Sequence, residues 1–253
     1  MIIDNITHHI ETLISQLKKD PMNLNARLAL IQCYCLEADW QKALNTTDNF
    51  LKIHNDPHVK SLLKQNILCE IQRDEVFKNT KAPLAYPDTA FPNNQTLLLQ
   101  AFYGGNDNMV DIFRQLIDEC DFWATVTTYD EQSYQDSWID SDFRLSSVFE
   151  IFVDAHYYWL PANNIQSIHF WRHEVLTDIL WRRAKITLQN QQEISAFIPA
   201  KYPILTEVSE DIKQNKRTQW EQMSKLSWAN GQKTLTSGDV DIPLLDIDVI
   251  TRG

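Results

Sequence analysis

The chain has 253 residues, 43% of them hydrophobic, which is enough to bury a substantial core in one large domain or two small ones. Its formal net charge of -11 argues against a nucleic-acid or anionic-membrane partner, since either would repel the chain's long-range field, and a basic partner is the easier fit. No apolar run approaches membrane-spanning length, and the N-terminal stretch carries Asp4 where a signal peptide needs a basic start, so the expected location is cytoplasmic.

Ile6, Ile10, Leu13, Ile14 and Leu17 recur at helical spacing behind a cap expected at Asp4, and Pro21 bounds that helix. A second helix is expected from about Asn25 to Leu36. A third, capped by Asp39, has Trp40, Ala43, Leu44, Thr47 and Leu51 on its apolar face. Beyond Pro57, Val59, Leu62, Leu63, Ile67 and Ile71 line a long fourth helix on which Glu70 and Arg73 can pair at i, i+3. Helix pairs joined by short polar turns suggest antiparallel, tetratricopeptide-like hairpins. Leu30, Tyr34, Ala43 and Pro57 fall near that repeat's preferred positions, but Arg27, Ile31 and Thr47 do not.

Pro83, Pro87 and Pro92 make residues 81–93 an extended connector, expected to pack along the helical array. Helical spacing resumes over Leu97 to Tyr103 and from Met109 to Cys120, with Gly104-Gly105 as the turn. From Phe122 the period shifts towards two. The expected architecture is therefore α+β in two domains, a helical one over 1–121 and a mixed or antiparallel β domain with short helices over 122–253.

Trp138 to Trp159 reads as the central strands of that second domain. Val148 to Val153 is apolar on both faces except for Glu150, and Asp154 to His156 turns the chain into a return strand ending at Pro161. A strand is then expected at Ile165 to Phe170, a short helix at Thr177 to Trp181, and a hairpin joining Ile186 and Leu188 to Ile194 to Ile198. Further strands are expected at Ile212 to Trp220 and Leu244 to Ile250.

The four cysteines form no CxxC pair and the five glycines form no phosphate-cradling loop, so no cofactor is expected. Asp140, Asp142 and Glu150 could gather as a metal or acid/base cluster, since like charges held close raise one pKa and converge on hard cations. Alternation along a strand would place Asp140, Asp142 and Arg144 on one side, and the guanidinium favours a structural ion cluster of these residues with Glu150 over catalysis. His169 and His173 have metal-ligand spacing with Glu174 adjacent but straddle a strand end. His54 and His58 are separated by the helix-breaking Asp56-Pro57. Among the aromatics, Tyr34, Trp40, Trp138, Trp159, Trp171 and Trp220 are candidate partner-binding residues, with burial in the core as the plainer role for each.

The ordered set Trp138-x-Asp140-x-Asp142-x-Arg144-Leu145, an apolar strand carrying Glu150, and Tyr157-Tyr158-Trp159-x-Pro161 closely resembles the ImpE/TagJ family. The resemblance continues through Asp178-Ile179-Leu180-Trp181, Ile198-Pro199-x-Lys201-Tyr202-Pro203, Thr218-x-Trp220, Gly231-Gln232 and Leu244-Leu245-Asp246-Ile247. The chain departs from the family at Ser146-Ser147, where Gly-Pro is usual, and in the Asp154 to His156 turn, which lacks a glycine. The resemblance implies a non-catalytic accessory protein of bacterial type VI secretion. It would bind a helix of the small contractile-sheath subunit and connect to sheath handling by the ClpV ATPase. A metal-dependent hydrolase built on Asp140, Asp142 and Glu150 is the alternative from a different class.

Overall fold

A computed structural model describes residues 3–105, 108–172, 175–223 and 225–253. The chain opens with α1 (Ile6–Lys19), α2 (Leu24–Leu36) and α3 (Trp40–Ile53), each started by a side-chain cap. The first cap is Asn5, not Asp4: the Asn5 side chain accepts from the His8 amide at 2.7 Å, satisfying one of the helix's orphan donors. Asn23 and Asp39 act in the same way for α2 and α3. The fourth helical stretch begins as a π-helical segment, Val59–Lys64, and continues as α4 (Gln65–Phe77). After the connector come α5 (Asn93–Gly104) and α6 (Met109–Glu119). Helix α5 starts four residues earlier than its apolar spacing suggests.

The remaining chain is mostly strand. It comprises β1 (Trp123–Thr128), β2 (Ser133–Ser137), β3 (Ile139–Asp140), β4 (Val148–Val153), β5 (His156–Pro161) and β6 (Ile165–Phe170). A 3-10 turn at Leu176–Ile179 precedes β7 (Trp181–Leu188) and β8 (Glu193–Pro199), so Trp181 opens a strand and does not close a helix. Ile212 lies in the short α7 (Glu210–Lys213) and Leu244–Asp246 forms a 3-10 turn. The apolar runs there suggest strand, and the structure corrects both. Strands β9 (Thr218–Met223), β10 (Leu226–Gly231), β11 (Thr234–Ser237), β12 (Val240–Pro243) and β13 (Ile247–Arg252) complete a mixed α+β fold.

Eight strands pair in the order β2-β1-β13-β6-β7-β8-β4-β5, every neighbour antiparallel. Strands β12-β11-β3 form a three-stranded sheet and β9-β10 a two-stranded ribbon. The β4–β5 hairpin is therefore at the rim of the large sheet, not its centre. Its apolar composition is explained by cover from both sides and along its open edge. The connector lies against β5, with Leu84 accepting from the Trp159 amide at 2.7 Å and the Tyr86 amide donating to Trp159 at 3.0 Å. These two bonds cover the open edge of β5 at its middle, around Trp159.

Alternation along β4 sends its side chains into two different cores. Val148 and Phe152 join Ile31, Ile67 and Phe77 of the helices, together with Trp159 and Trp181. Phe149 and Ile151 join Ala184, Ile186, Leu235 and Ile242 between the large and the three-stranded sheets. Glu150 has the same parity as Val148 and Phe152, so it is aimed at the helices.

Candidate functional site

Where Glu150 enters the helical side it meets Arg73 of α4. The guanidinium grips the carboxylate with two bonds, Nε to Oε1 at 2.7 Å and Nη2 to Oε2 at 2.8 Å, and both side chains are buried. The same guanidinium donates to Glu70 Oε2 at 3.2 Å and to the Lys201 carbonyl at 2.8 Å. The expected Glu70–Arg73 pair thus exists, as the weaker half of a larger network. Glu70 also accepts from Trp181 Nε1 at 2.8 Å, and the Tyr157 hydroxyl donates to Glu150 at 2.6 Å. Lys233 contacts Glu150 directly and reaches Asp140 at 3.9 Å, linking this group to the next.

Asp140 ends β3 and accepts from the Tyr202 hydroxyl at 2.6 Å and from the Asp142 amide at 3.0 Å. Asp142 and Arg144 lie beyond the strand, in the turn that joins β3 to β4, so the single-face strand arrangement does not occur. The turn itself makes their contact. Asp142 Oδ1 accepts from both the backbone amide and Nε of Arg144, each at 2.9 Å, and Oδ2 accepts from the Ala229 amide at 3.0 Å. The Arg144 guanidinium lies over the rings of Phe77 and Trp228, 5.4 and 4.8 Å from their centroids, in a cation–π sandwich. Asp140, Asp142, Arg144 and Glu150 are therefore neighbours, but Glu150 finds its cations on α4 and at Lys233.

The electrostatics follow from this pairing. Burial opposes ionisation of Glu150, but Arg73 and Lys233 outweigh it and hold its carboxyl at about 2. Burial pushes Asp140 up to about 6, against the pull of Lys233 and with Asp142 adding to the rise. Lys201, enclosed with Leu36 O at 3.0 Å and Lys213 O at 3.3 Å as acceptors, is pulled down to about 8 by burial. Four buried acids, Glu70, Asp140, Asp142 and Glu150, stand among four buried bases, Arg73, Arg144, Lys201 and Lys233. Such a set binds helices to sheet through fixed hydrogen bonds. Among the described residues, no group of three or more His, Cys, Asp or Glu side chains is placed to hold a metal ion.

Lys233, Lys201 and Tyr202 were not singled out from the sequence as members of this network. Their signal was a charged or hydroxylated side chain inside otherwise apolar segments, the same signal that drew attention to Glu150. Two motif positions gain a local reason. Gly231 has φ of +90°, and an added Cβ would stand 2.2 Å from the Arg217 carbonyl, so only glycine fits. The Ser146-Ser147 departure is used by α5: Gln95 Oε1 accepts from the Ser147 amide and from the Ser147 hydroxyl, both at 3.0 Å, an amide bond that a proline there could not make.

The candidate partner-binding aromatics divide by exposure. Trp40, Trp138 and Trp159 are buried, so as placed they present no anchor surface. Trp138 Nε1 donates to Ala124 O, Trp159 Nε1 donates to Tyr157, and Trp40 packs on Trp181. Tyr34 is half-buried beneath Lys42, and Trp171 and Trp220 are exposed. His169 is exposed on β6, and His173 and Glu174 lie outside the described residues.

The ImpE protein family model matches residues 132–251, the stretch that holds β2 to β12 and every acid of the network except Glu70. The type VI secretion system accessory component TagJ of Pseudomonas aeruginosa is 28% identical over 221 residues, 83% of this chain and 75% of that protein. The crystal structure of protein VPA1032 from Vibrio parahaemolyticus has the same fold, with a TM-score of 0.83, 19% identity, and coverage of 98% of this chain and 94% of that one. Together with the ordered motifs between Trp138 and Ile247, these matches show that the chain is similar to the ImpE family over its C-terminal half and to TagJ over most of its length.

Proposed function

We propose that this protein is a non-catalytic, cytoplasmic accessory component of a bacterial type VI secretion system. It would work as an adaptor that binds a helix of the small contractile-sheath subunit and connects to sheath handling by the ClpV ATPase. In this reading residues 1–121 form a helical, tetratricopeptide-like unit and 122–253 the ImpE-like unit. The observation that carries it is the 28% identity to an accessory component of that system, which extends across most of the chain. The neutral, buried pairing of Asp140, Asp142 and Glu150 supports it further, because work is left to surfaces. No observation favours the hydrolase reading, since each of those acids faces a cation.

The test is retention of the small sheath subunit on the immobilised full-length chain. The whole chain is the right reagent because helices and sheet share one core. Saturable retention is expected. Failure of that subunit to bind at concentrations where the immobilised chain is folded would remove the adaptor reading.

A further inference from the structure

Arg182, like Lys201, finds its hydrogen bonds on neutral groups and not on a carboxylate. It is fully buried, yet Nη1 donates to Leu244 O at 2.7 Å and Nη2 to the Tyr129 hydroxyl at 2.6 Å and to the Trp171 and Ile247 carbonyls at 3.2 Å, all neutral acceptors. Nε has no hydrogen-bond partner, and no carboxylate of the described residues lies within ion-pair distance. A buried cation held only by neutral acceptors is costly, and burial lowers its pKa although Tyr129 and the carboxylates of Asp178, Asp248 and Asp246 act against the fall from beyond ion-pair distance.

Arg182 lines a groove of about 430 Å³ between the π-helical segment and the β6–β7 connection. Leu62, Trp171 and Val175 give this groove an apolar wall, with Trp171 47% and Val175 57% exposed. Arg172 and Arg183, both exposed, add two further positive charges. The carboxylate of Asp178 faces the same space and accepts from the Val175 amide at 3.0 Å. Among the described lining residues three arginines thus stand against one carboxylate in a chain whose net charge is -11, and the basic partner suggested by that net charge is the wrong sign for them.

We propose that this groove docks an acidic segment of a partner protein that carries an apolar anchor. Its carboxylates meet Arg172 and Arg183, the buried charge of Arg182 behind them adds to the attraction, and its apolar side chain packs on Trp171 and Val175. The assignment rests on the adaptor reading only in that the protein works through a surface. It specifies which surface and what chemistry.

The probe is a fluorescein-labelled glutamate–tyrosine copolymer titrated into the full chain, with a lysine–tyrosine copolymer as the charge control. Saturable binding of the acidic polymer is expected, weakening as salt rises. Joint Arg172→Glu and Arg183→Glu substitution, or Trp171→Ala alone, should each weaken it about tenfold or more while the circular dichroism spectrum and melting point stay unchanged. Absent binding, equal binding of the basic polymer, or indifference to these substitutions overturns the assignment. So does competition by inorganic polyphosphate that is unaffected by Trp171→Ala, which would make the groove a bare anion site. If the substitutions leave sheath-subunit retention intact while abolishing copolymer binding, the groove stands and serves another partner. Retention that survives with no copolymer binding keeps the adaptor reading and discards this one.

Discussion

Arg73 and Glu150, 77 positions apart, form a buried two-bond ion pair that joins α4 to β4. Replacing such a pair by matched apolar groups is often neutral, whereas removing one member strands the other charge. Arg73→Ala and Glu150→Ala should each lose about 3 to 5 kcal/mol, and the double variant should lose clearly less than the sum. Urea unfolding of the four proteins measures this, and single losses under about 1 kcal/mol would contradict the pairing.

Stability should have a maximum at acidic pH. Asp140 has a folded pKa of about 6, above its ordinary value, so its contribution is fully present below the unfolded pKa and is lost as pH rises through about 6. Glu150 has a folded pKa of about 2, below its ordinary value, so its contribution is present above the unfolded pKa and is lost as pH falls towards 2. Between about pH 4 and 6 the Asp140 term therefore changes stability by an amount on the order of a few kcal/mol. In Asp140→Asn that slope should disappear while the acid limb below it remains. Melting points taken across pH 3 to 8 would reveal an unaltered slope if Asp140 is not its source.

The β4–β5 hairpin turns on Asp154 and Ala155, which have φ of +49° and +62°. A two-residue turn matching strand twist needs left-handed backbone at both positions, and alanine adopts it at a cost of about 1 to 2 kcal/mol. Ala155→Gly should stabilise the protein by about 1 kcal/mol, visible as a rise of about 2 to 4 °C in melting point for a chain of this size. Ala155→Val should move the midpoint the other way.

Trp159 and Trp220 separate packing from recognition. Trp159 is fully buried in the core shared by helices and sheet, so Trp159→Ala should cost about 3 to 5 kcal/mol. Trp220 lies 42% exposed on β9, and Trp220→Ala should change stability by about 0.5 kcal/mol or less. Lost sheath-subunit retention in the Trp220 variant, with an unchanged unfolding midpoint, would place Trp220 in the binding surface. Unchanged retention would remove it from the candidates.

Much of the local architecture was legible in the residues. Apolar spacing with Asp39 as a cap placed α3, and apolar runs between turn residues placed β4, β5, β6 and β8 to within a residue or two, while β7 begins five residues before the arm expected at Ile186. These are short-range properties: a cap satisfies an amide three positions away, and a strand's alternation is carried by its own residues. The resemblance to ImpE proteins was likewise carried by ordered local motifs.

What the amino-acid order could not contain was which elements would meet. Nothing near Glu150 in sequence says that Arg73 and Lys233 will neutralise it. Nor does anything near Arg182 say that carbonyls and a tyrosine will take its hydrogen bonds. The same holds for the rim position of β4 and β5, set by the pairing order of eight strands, and for the burial of Trp138 beside its exposed neighbours. Periodicity and capping fix the conformation of a segment. The sign and cost of a charge are decided by the atoms that exclude water from it, and those arrive from distant parts of the chain only when the tertiary structure closes.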